Sequence, residues 1–495
     1  MGRTQPFIHL KPANLGASFG SRRWRFPTAS GISGSNRTSR IDGARQNQAS
    51  GQSESSLMLR VHLKKFPSVI GHSSSRVNRM YNEDSYSINM LKLPSLGQEM
   101  EFYRNGGIPE QENNSKKSVL NLSIFDGHGG KGRVSKLLAE YLHNAIVDSF
   151  PTQAQFYDLL LQYKNLIGGR YWERMFQNRD SFYDRFIRHC NTKQEQVLYG
   201  LDKSGSRMIF DKWGNIIDKT SLLNENERLR LYYAFLKFDL DYCCGFNDKE
   251  ISPEQRLEKF PGGSTASSIF ISSYDETLSF DESFFVEPNG LLKLVVTQVG
   301  DTKIILCDQN GIAHSLTKMH HANSSRETKR LKASSGFQTD SFGDTRFLNN
   351  FTNTRSFGDL TGKREGLSCE PDIYSYLIGD TMELPHSERS KLQFGGEECF
   401  ICLITDGISD LASDQELTDL ITSTVNMRGL KTASPQFVAD EVIKYIMALG
   451  GKHADNATCL ILRLSNWGNW PNIDRTGAIR EEKLLAASQL DRTED

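Results

Sequence analysis

Four aspartates stand where apolar, strand-like runs begin or end. Ile124-Phe125 leads into Asp126, Gln298-Val299-Gly300 into Asp301, and Leu403-Ile404-Thr405 into Asp406, while Asp455 precedes the apolar stretch 458–464. If those strands share one sheet edge, the four carboxylates converge in one cleft. Carboxylates packed that closely repel and raise one another's pKa values, and a divalent cation removes the conflict. With oxygen donors only, and no supporting histidine or cysteine cluster, the ions that suit such a site are hard ones, Mg2+ or Mn2+. The loop after the first acid reads Asp126-Gly127-His128-Gly129-Gly130. Glycine lets the backbone approach a ligand closely, so Gly127 can offer its carbonyl beside Asp126. His128 then stands within reach as a proton donor near neutral pH. A lone Asp-Gly is ordinarily a surface turn; four acids at strand ends make that reading much weaker.

Three other patterns compete and lose. Gly127-x-Gly129-x-x-Gly132 fits the dinucleotide-binding spacing, but it would set Asp126 and His128 where a pyrophosphate belongs. The position some twenty residues on also falls in or just after a helix rather than at the end of a second strand. Asp239-x-Asp241 with Glu250 has the outline of a calcium loop, yet Cys244 occupies the position that requires glycine. Cys399-x-x-Cys402 lies inside a run that reads as a buried strand, where positions three apart face opposite ways. With no second pair to complete a zinc site, buried structural thiols are expected.

The elements that must hold these residues are legible in outline. Strands are expected over 119–125, 265–272, 293–299, 303–307, 400–405 and 458–464, from their alternating or continuous apolar, β-branched character. Val134, Leu137, Leu138, Tyr141, Leu142, Ala145 and Ile146 mark one buried helical face. A second helix begins at Ser434-Pro435, buries Val438, Val442, Tyr445, Ile446 and Leu449, and stops at Gly450-Gly451. Ser413-x-x-Glu416 is a capping box for a third. Strands clustered between a few long helices favour an α+β domain with sheet packed on sheet.

Composition bounds the rest. The 495 residues carry 59 Lys+Arg against 60 Asp+Glu, a balance that gives no reason to expect nucleic acid as a partner. Eight scattered cysteines fit a reducing compartment, and no apolar run approaches the ~20 residues of a membrane span. Residues 1–52 are rich in Ser, Gly and Arg, with Arg3, Lys11, Arg22, Arg23, Arg25, Arg37 and Arg40 ahead of the first acid, Asp42. That is the composition of a mitochondrial transit peptide. The expected organisation is a leader and disordered linker over 1–57, a catalytic domain over 58–466 with inserts near 91–117 and 151–230, and a charged tail over 467–495.

Taken in order, the motifs resemble those of the PPM/PP2C family of metal-dependent protein serine/threonine phosphatases. They are Arg79-x-x-x-Glu83-Asp84, Phe125-Asp126-Gly127-His128-Gly129-Gly130, Gly262-Gly263-Ser264-Thr265-Ala266 and Val299-Gly300-Asp301-Thr302. There follow Thr354-Arg355-Ser356-Phe357-Gly358-Asp359, Glu370-Pro371, Thr405-Asp406-Gly407-Ile408-Ser409-Asp410 and Asp455-Asn456. The resemblance implies a four-layer α-β-β-α sandwich, two antiparallel sheets flanked by helices, with metals at one end. It implies that Asp126 bridges two Mg2+ or Mn2+ ions, that Gly127 binds one through its carbonyl, and that Asp406 and Asp455 complete the other. Glu83 and Asp84 would hold waters around the ions, and Asp301 with Asp410 a weaker third ion. Arg79 would grip the substrate phosphate and His128 protonate the leaving oxygen. Lys303 stands where the family often has Arg, and Met319 where Asp is commoner. With its Arg-rich start the chain resembles fungal mitochondrial members, which implies a monomer in the matrix or intermembrane space acting on phosphoserine and phosphothreonine proteins such as pyruvate dehydrogenase. The alternative, a catalytically silent scaffold of the same fold, would have lost metal ligands, and Asp126, Asp406 and Asp455 are all present.

Overall fold

The structure is a computed structural model that describes residues 4–10, 59–94, 116–188, 222–274, 281–286, 290–331, 336–339, 345–380, 392–451 and 454–493. Period-two alternation builds two antiparallel sheets. One runs edge to edge through Thr4–Gln5, Ser85–Pro94, Lys116–Phe125, Ala266–Ser273, Leu291–Val299 and Asp372–Gly379. The other runs through Ala313–Ser315, Lys303–Cys307, Phe400–Ile404, Ala457–Arg463 and Ile70–Ser75. Successive side chains leave a strand on opposite faces, so each strand feeds two cores. Leu120, Leu122 and Ile124 meet Leu294, Ile304, Ile401, Leu403 and Leu460 between the sheets. Val119 and Phe125 face the helix Arg133–Asp148 on one outer side. Ile305, Cys402, Ile404 and Ile461 face the helices Asp414–Arg428 and Pro435–Leu449 on the other. Three cores between four layers give the expected α-β-β-α sandwich.

The helix starts follow their caps. Ser413 and Glu416 form a reciprocal capping box, and the Ser434 side chain accepts from the Phe437 amide ahead of a helix with Pro435 in its first turn. Tyr141 departs from the expected buried face: it is 47% exposed, because the sheet-facing stripe is the narrower set Val134, Leu138, Leu142 and Ile146. Cys399 lies one residue ahead of its strand, so alternation does not govern it. Its thiol meets the Asp308 carbonyl, while Cys402 meets Cys459 at 3.6 Å, and both are buried.

Within the segment read as a leader, residues 11–57 lie outside the described residues. Thr4–Gln5 extends the first sheet and Phe7–Leu10 pairs with Leu59–His62, which puts Ile8 and Leu10 in the core between the sheets. Of the two inserts, 95–115 and 189–221 lie outside the described residues. The described part of the longer one supplies the helices Gln153–Leu166 and Arg170–Gln177, whose Leu159, Leu160, Tyr163 and Trp172 thicken the outer core beside Arg133–Asp148. At the other end, Trp467 and Trp470 are buried against Phe400, and the helix Gly477–Thr493 is tied down by Thr476 on Asp419 just ahead of it and by Lys483 on Glu416. The stretch read as a charged tail is therefore packed against the domain. Among the described residues no helix is long and apolar enough to cross a membrane.

Candidate active site

The four strand-end aspartates come from both sheets, not from one edge. Asp126 follows Lys116–Phe125 and Asp301 follows Leu291–Val299 in the first sheet. Asp406 follows Phe400–Ile404 and Asp455 precedes Ala457–Arg463 in the second. The sandwich brings its two sheet ends together, and carboxylate oxygens of Asp126, Asp301 and Asp406 lie within 4.8 Å of one another. Asp301 is buried, while Asp126 and Asp406 are partly open. Asp126 is fixed through its carbonyl, which accepts from the Thr265 amide at 2.9 Å and the Ser264 hydroxyl at 3.0 Å. Gly127 pairs with Ser264, and a Cβ there would fall 2.5 Å from the Glu83 carbonyl and 2.6 Å from the Ser135 hydroxyl. Only glycine lets the chain pass. Asp406 opens the short helix Asp406–Ser409, whose Asp410 amide returns to the Asp406 carbonyl at 2.8 Å.

Crowding governs the electrostatics. Burial, then the charges of Asp406, Asp84 and Asp301, push the Asp126 carboxyl well above its usual range. Burial and Asp301 push Asp406 up to about 8. Asp84, seated between the hydroxyls of Thr405 at 3.0 Å and Thr458 at 2.7 Å, is still pushed up to about 7 by burial. For Asp301, burial is outweighed by the imidazole of His321, which bonds Oδ2 at 3.0 Å and holds the carboxyl below its usual value. The second oxygens of Asp84 and Asp301 are buried without a hydrogen-bond partner. Converging carboxylates with unpartnered buried oxygens and no soft donors among them fit a hard divalent cation.

The remaining predicted residues ring this centre. Arg79 Nη2 is 2.7 Å from Asp455, both about half exposed. Glu83 accepts from the Gly132 amide at 2.9 Å, and its own amide donates to Asn456 at 2.8 Å. Asp410 is raised by burial and by Asp301. His128, half exposed, places Nε2 2.8 and 2.9 Å from the two oxygens of Asp359. Burial pulls the imidazole pKa down and Asp359 more than reverses it, leaving it raised. A cleft of about 480 Å3, lined by Lys64, Tyr86, Lys136 and Glu140 among others, shares Asp84 with the site but not Asp126, Asp301 or Asp406.

Sequence reasoning gave no role to Asp359, His321, Asn456, Thr405 or Thr458. Asn456 stitches the Arg79 loop to the second sheet by donating to the carbonyls of Arg76 and Tyr81. The available signal was adjacency: Thr405 and Asn456 each touch a strand-end aspartate in the chain.

An α-β-β-α sandwich with a carboxylate cluster suited to a hard cation at one end is the class that fold and site define. Residues 169–455, more than half of the chain, match the family model described as Protein phosphatase 2C, and the chain belongs to that family. The matched region holds Asp301, Asp359, Asp406 and Asp455; the Asp126 loop lies ahead of it. The chain is similar to Protein phosphatase 2C homolog 4 of Schizosaccharomyces pombe, 34% identical over 259 residues that cover 52% of this chain and 57% of the relative. It is also similar to "Protein phosphatase 1K, mitochondrial" of Xenopus laevis, 30% identical over 178 residues, 36% of this chain and 41% of the relative. The chain spans about half the length of these curated relatives. Among solved structures, a phosphatase from a pathogenic strain of Toxoplasma gondii overlaps 80% of this chain and 95% of its own at a TM-score of 0.45 and 13% identity.

Proposed function

We propose that the protein is a metal-dependent protein serine/threonine phosphatase. The convergence of Asp126, Asp301 and Asp406 where the two sheets end carries the reading. Asp126 would stand between two Mg2+ or Mn2+ ions, the Gly127 carbonyl serving one and Asp406 with Asp455 the other. Glu83 and Asp84 would support them from behind, and Asp301 with Asp410 would hold a weaker third ion. When bound, such ions supply positive charge to phosphoryl oxygens and lower the pKa of an attacking water.

The chain's own groups do the rest. Arg79 stands at the rim with one nitrogen on Asp455 and further N–H donors for phosphate oxygens. His128 gives a proton to the seryl or threonyl oxygen as it leaves. Asp84 is locked to Thr405 and Thr458, which keeps the ends of the second sheet in register with the Arg79 loop. No side-chain nucleophile is needed: the described cysteines are all buried.

The direct assay is phosphate release from a phosphoserine or phosphothreonine peptide in Mn2+ or Mg2+. Release that stops on adding chelator and is absent in Asp126→Ala is expected. Full turnover by Asp126→Ala, or turnover indifferent to chelator, would overturn the reading.

The substrates are mitochondrial phosphoproteins, pyruvate dehydrogenase being the type case. Support comes from the Arg-rich, acid-poor composition of residues 1–52 and from the relative whose name places it in mitochondria. A reporter carrying residues 1–57 that stays in the cytosol would rule this out.

A further inference from the structure

We propose that Asp359 is the positioning residue for His128, holding the imidazole by Nε2 so that Nδ1 is the nitrogen that delivers the proton to the leaving group. The proposal rests on the phosphatase reading above. Its basis is a small three-stranded sheet beside the metal centre: Gly127–His128 pairs with Gly263–Ser264, which pairs with Phe357–Gly358. His128 lies opposite Gly263, and Gly263 opposite Gly358. Asp359 follows directly and reaches back across the middle strand. It can do so because that strand is bare: a Cβ on Gly263 would sit 2.2 Å from Asp359 Oδ2.

Asp359 is held in this reach at some cost. Its φ is 47°, a left-handed conformation uncommon for a residue with a side chain. Backbone of this kind persists where the surroundings over-determine it, and here they do. The Asp359 amide donates to the Gly262 carbonyl at 2.9 Å, and Ser356 Oγ donates to Oδ2 at 2.5 Å. Beneath the loop, the Gly358 amide donates to Asp239 Oδ1 at 2.7 Å. Asp239 is paired at 2.7 Å with Lys363, both fully buried, and Lys363 also donates to the Ser356 carbonyl at 2.7 Å. The carboxylate is 6% exposed and the imidazole it holds 49%. One end of the ring is anchored, and the side chain as a whole is half open to solvent.

An acceptor on Nε2 selects the tautomer that carries hydrogen there. Among the described residues His128 Nδ1 has no hydrogen-bond partner. In the transfer the bond from phosphorus to the seryl oxygen breaks and its electron pair stays on that oxygen. The oxygen takes the proton from Nδ1 of the imidazolium, and the neutral ring keeps its Nε2 hydrogen on Asp359. The proton given up by the attacking water, relayed through solvent, restores the imidazolium. The division of labour is that of other histidines steadied by a buried carboxylate.

The test is a double-mutant cycle of Asp359→Asn and His128→Ala, read on a phosphoserine peptide and on p-nitrophenyl phosphate, whose leaving group needs no proton. Asp359→Asn should lower kcat on the peptide about 10- to 100-fold with little change in KM, and leave the aryl phosphate nearly untouched. In the His128→Ala background it should add nothing. Equal losses on both substrates, or full additivity with His128→Ala, would mean a structural role and overturn the proposal. Ser356→Ala, which keeps the carboxylate and removes one of its anchors, should show a weaker loss with the same substrate pattern, and it serves if the Asn variant does not fold. Nitrogen NMR of His128 in the metal-free protein is the readout independent of turnover. With the ring titrated to its neutral form, hydrogen on Nε2 in the parent, with that preference lost in Asp359→Asn, is expected, and a neutral ring carrying its hydrogen on Nδ1 in the parent would refute the pairing. If the parent cleaves neither substrate, the phosphatase reading fails while the NMR result still decides the pairing.

Discussion

Asp126 bears the cost of the site. Burial and three neighbouring carboxylates push it well above its usual range, so the residues proposed to hold a cation are those least content without one. A ligand that binds only the folded protein stabilises it by mass action, by about 2.7 kcal/mol at a hundred times its Kd. Mn2+ should therefore raise the melting temperature of the chelator-treated protein, and Asp126→Ala should abolish most of that rise. A variant that keeps the full Mn2+ shift would show that the cation sits elsewhere. At this scale the sequence was informative about the acids and silent about their partners. Asp126, Asp301, Asp406 and Asp455 could be found because each abuts a strand whose composition announces it. Asp359 could not be tied to His128, because 231 positions separate them and an acid after Phe357-Gly358 reads as a turn. His321, which settles the ionisation of Asp301, sits in a polar stretch with no periodicity to aim it.

Elements were legible where pattern and cap agreed. Lys303–Cys307 begins and ends where its β-branched run does, and Ser434-Pro435 starts a helix for reasons local to those residues. What could not be read was which elements share an end, since sheet order is set by pairings between strands hundreds of residues apart. The Ile70–Ser75 edge strand is an example, lying against Ala457–Arg463. Its Gly71 lets the Pro435–Leu449 helix dock, for a Cβ there would fall 2.1 Å from the Pro435 carbonyl. Gly71→Ala should push that helix off the sheet at a cost of about 1–3 kcal/mol, seen as a lower urea midpoint. An unchanged midpoint would mean the helix shifts freely. The Asp239–Lys363 pair joins the helix Glu225–Phe238 to the Asp359 loop, with both side chains fully buried. Lys363→Met leaves a buried carboxylate unpaired and should cost about 3–5 kcal/mol, whereas an exposed pair such as Lys444–Glu441 would cost little.

Across the whole molecule, two features tie remote parts of the chain together and each makes a testable demand. The first is a network in which the buried Glu327, Arg355 and Asp372 are joined by the partly buried Arg330 and the half-exposed Arg326. Burial alone would raise both carboxyls; Arg330 and Arg355 hold Glu327, and Arg326 and Arg355 hold Asp372, well below their usual range. Depressed folded-state values mean the network stabilises fully above the unfolded carboxylate range and loses that contribution as pH falls through the folded values. The urea midpoint should therefore drop steeply below about pH 4, and less steeply in Arg355→Met, which starts from a lower stability.

The second feature is the start of the chain, where composition and structure point different ways. Residues 1–52 have the make-up of a leader, yet Ile8 and Leu10 are 0% and 1% exposed in the core between the sheets. His9 is fastened at its amide and its ring to Glu282, which also pairs with Lys92. Truncating a buried isoleucine to alanine typically costs about 2–5 kcal/mol, and unlike a deletion it leaves the chain entropy of the segment unchanged. Ile8→Ala should lower the stability of the full chain by that order, and a chain begun at residue 58 should lose at least part of it. The deletion loses less than the sum of its contacts because releasing the segment returns about 1–2 kcal/mol of backbone entropy per residue. If Ile8→Ala and the chain begun at residue 58 both melt like the parent, the first strands contribute nothing to stability. If both fall, any processing that removes these residues must leave a measurably less stable protein, and the mass of the protein isolated from its native cells then shows whether such processing takes place.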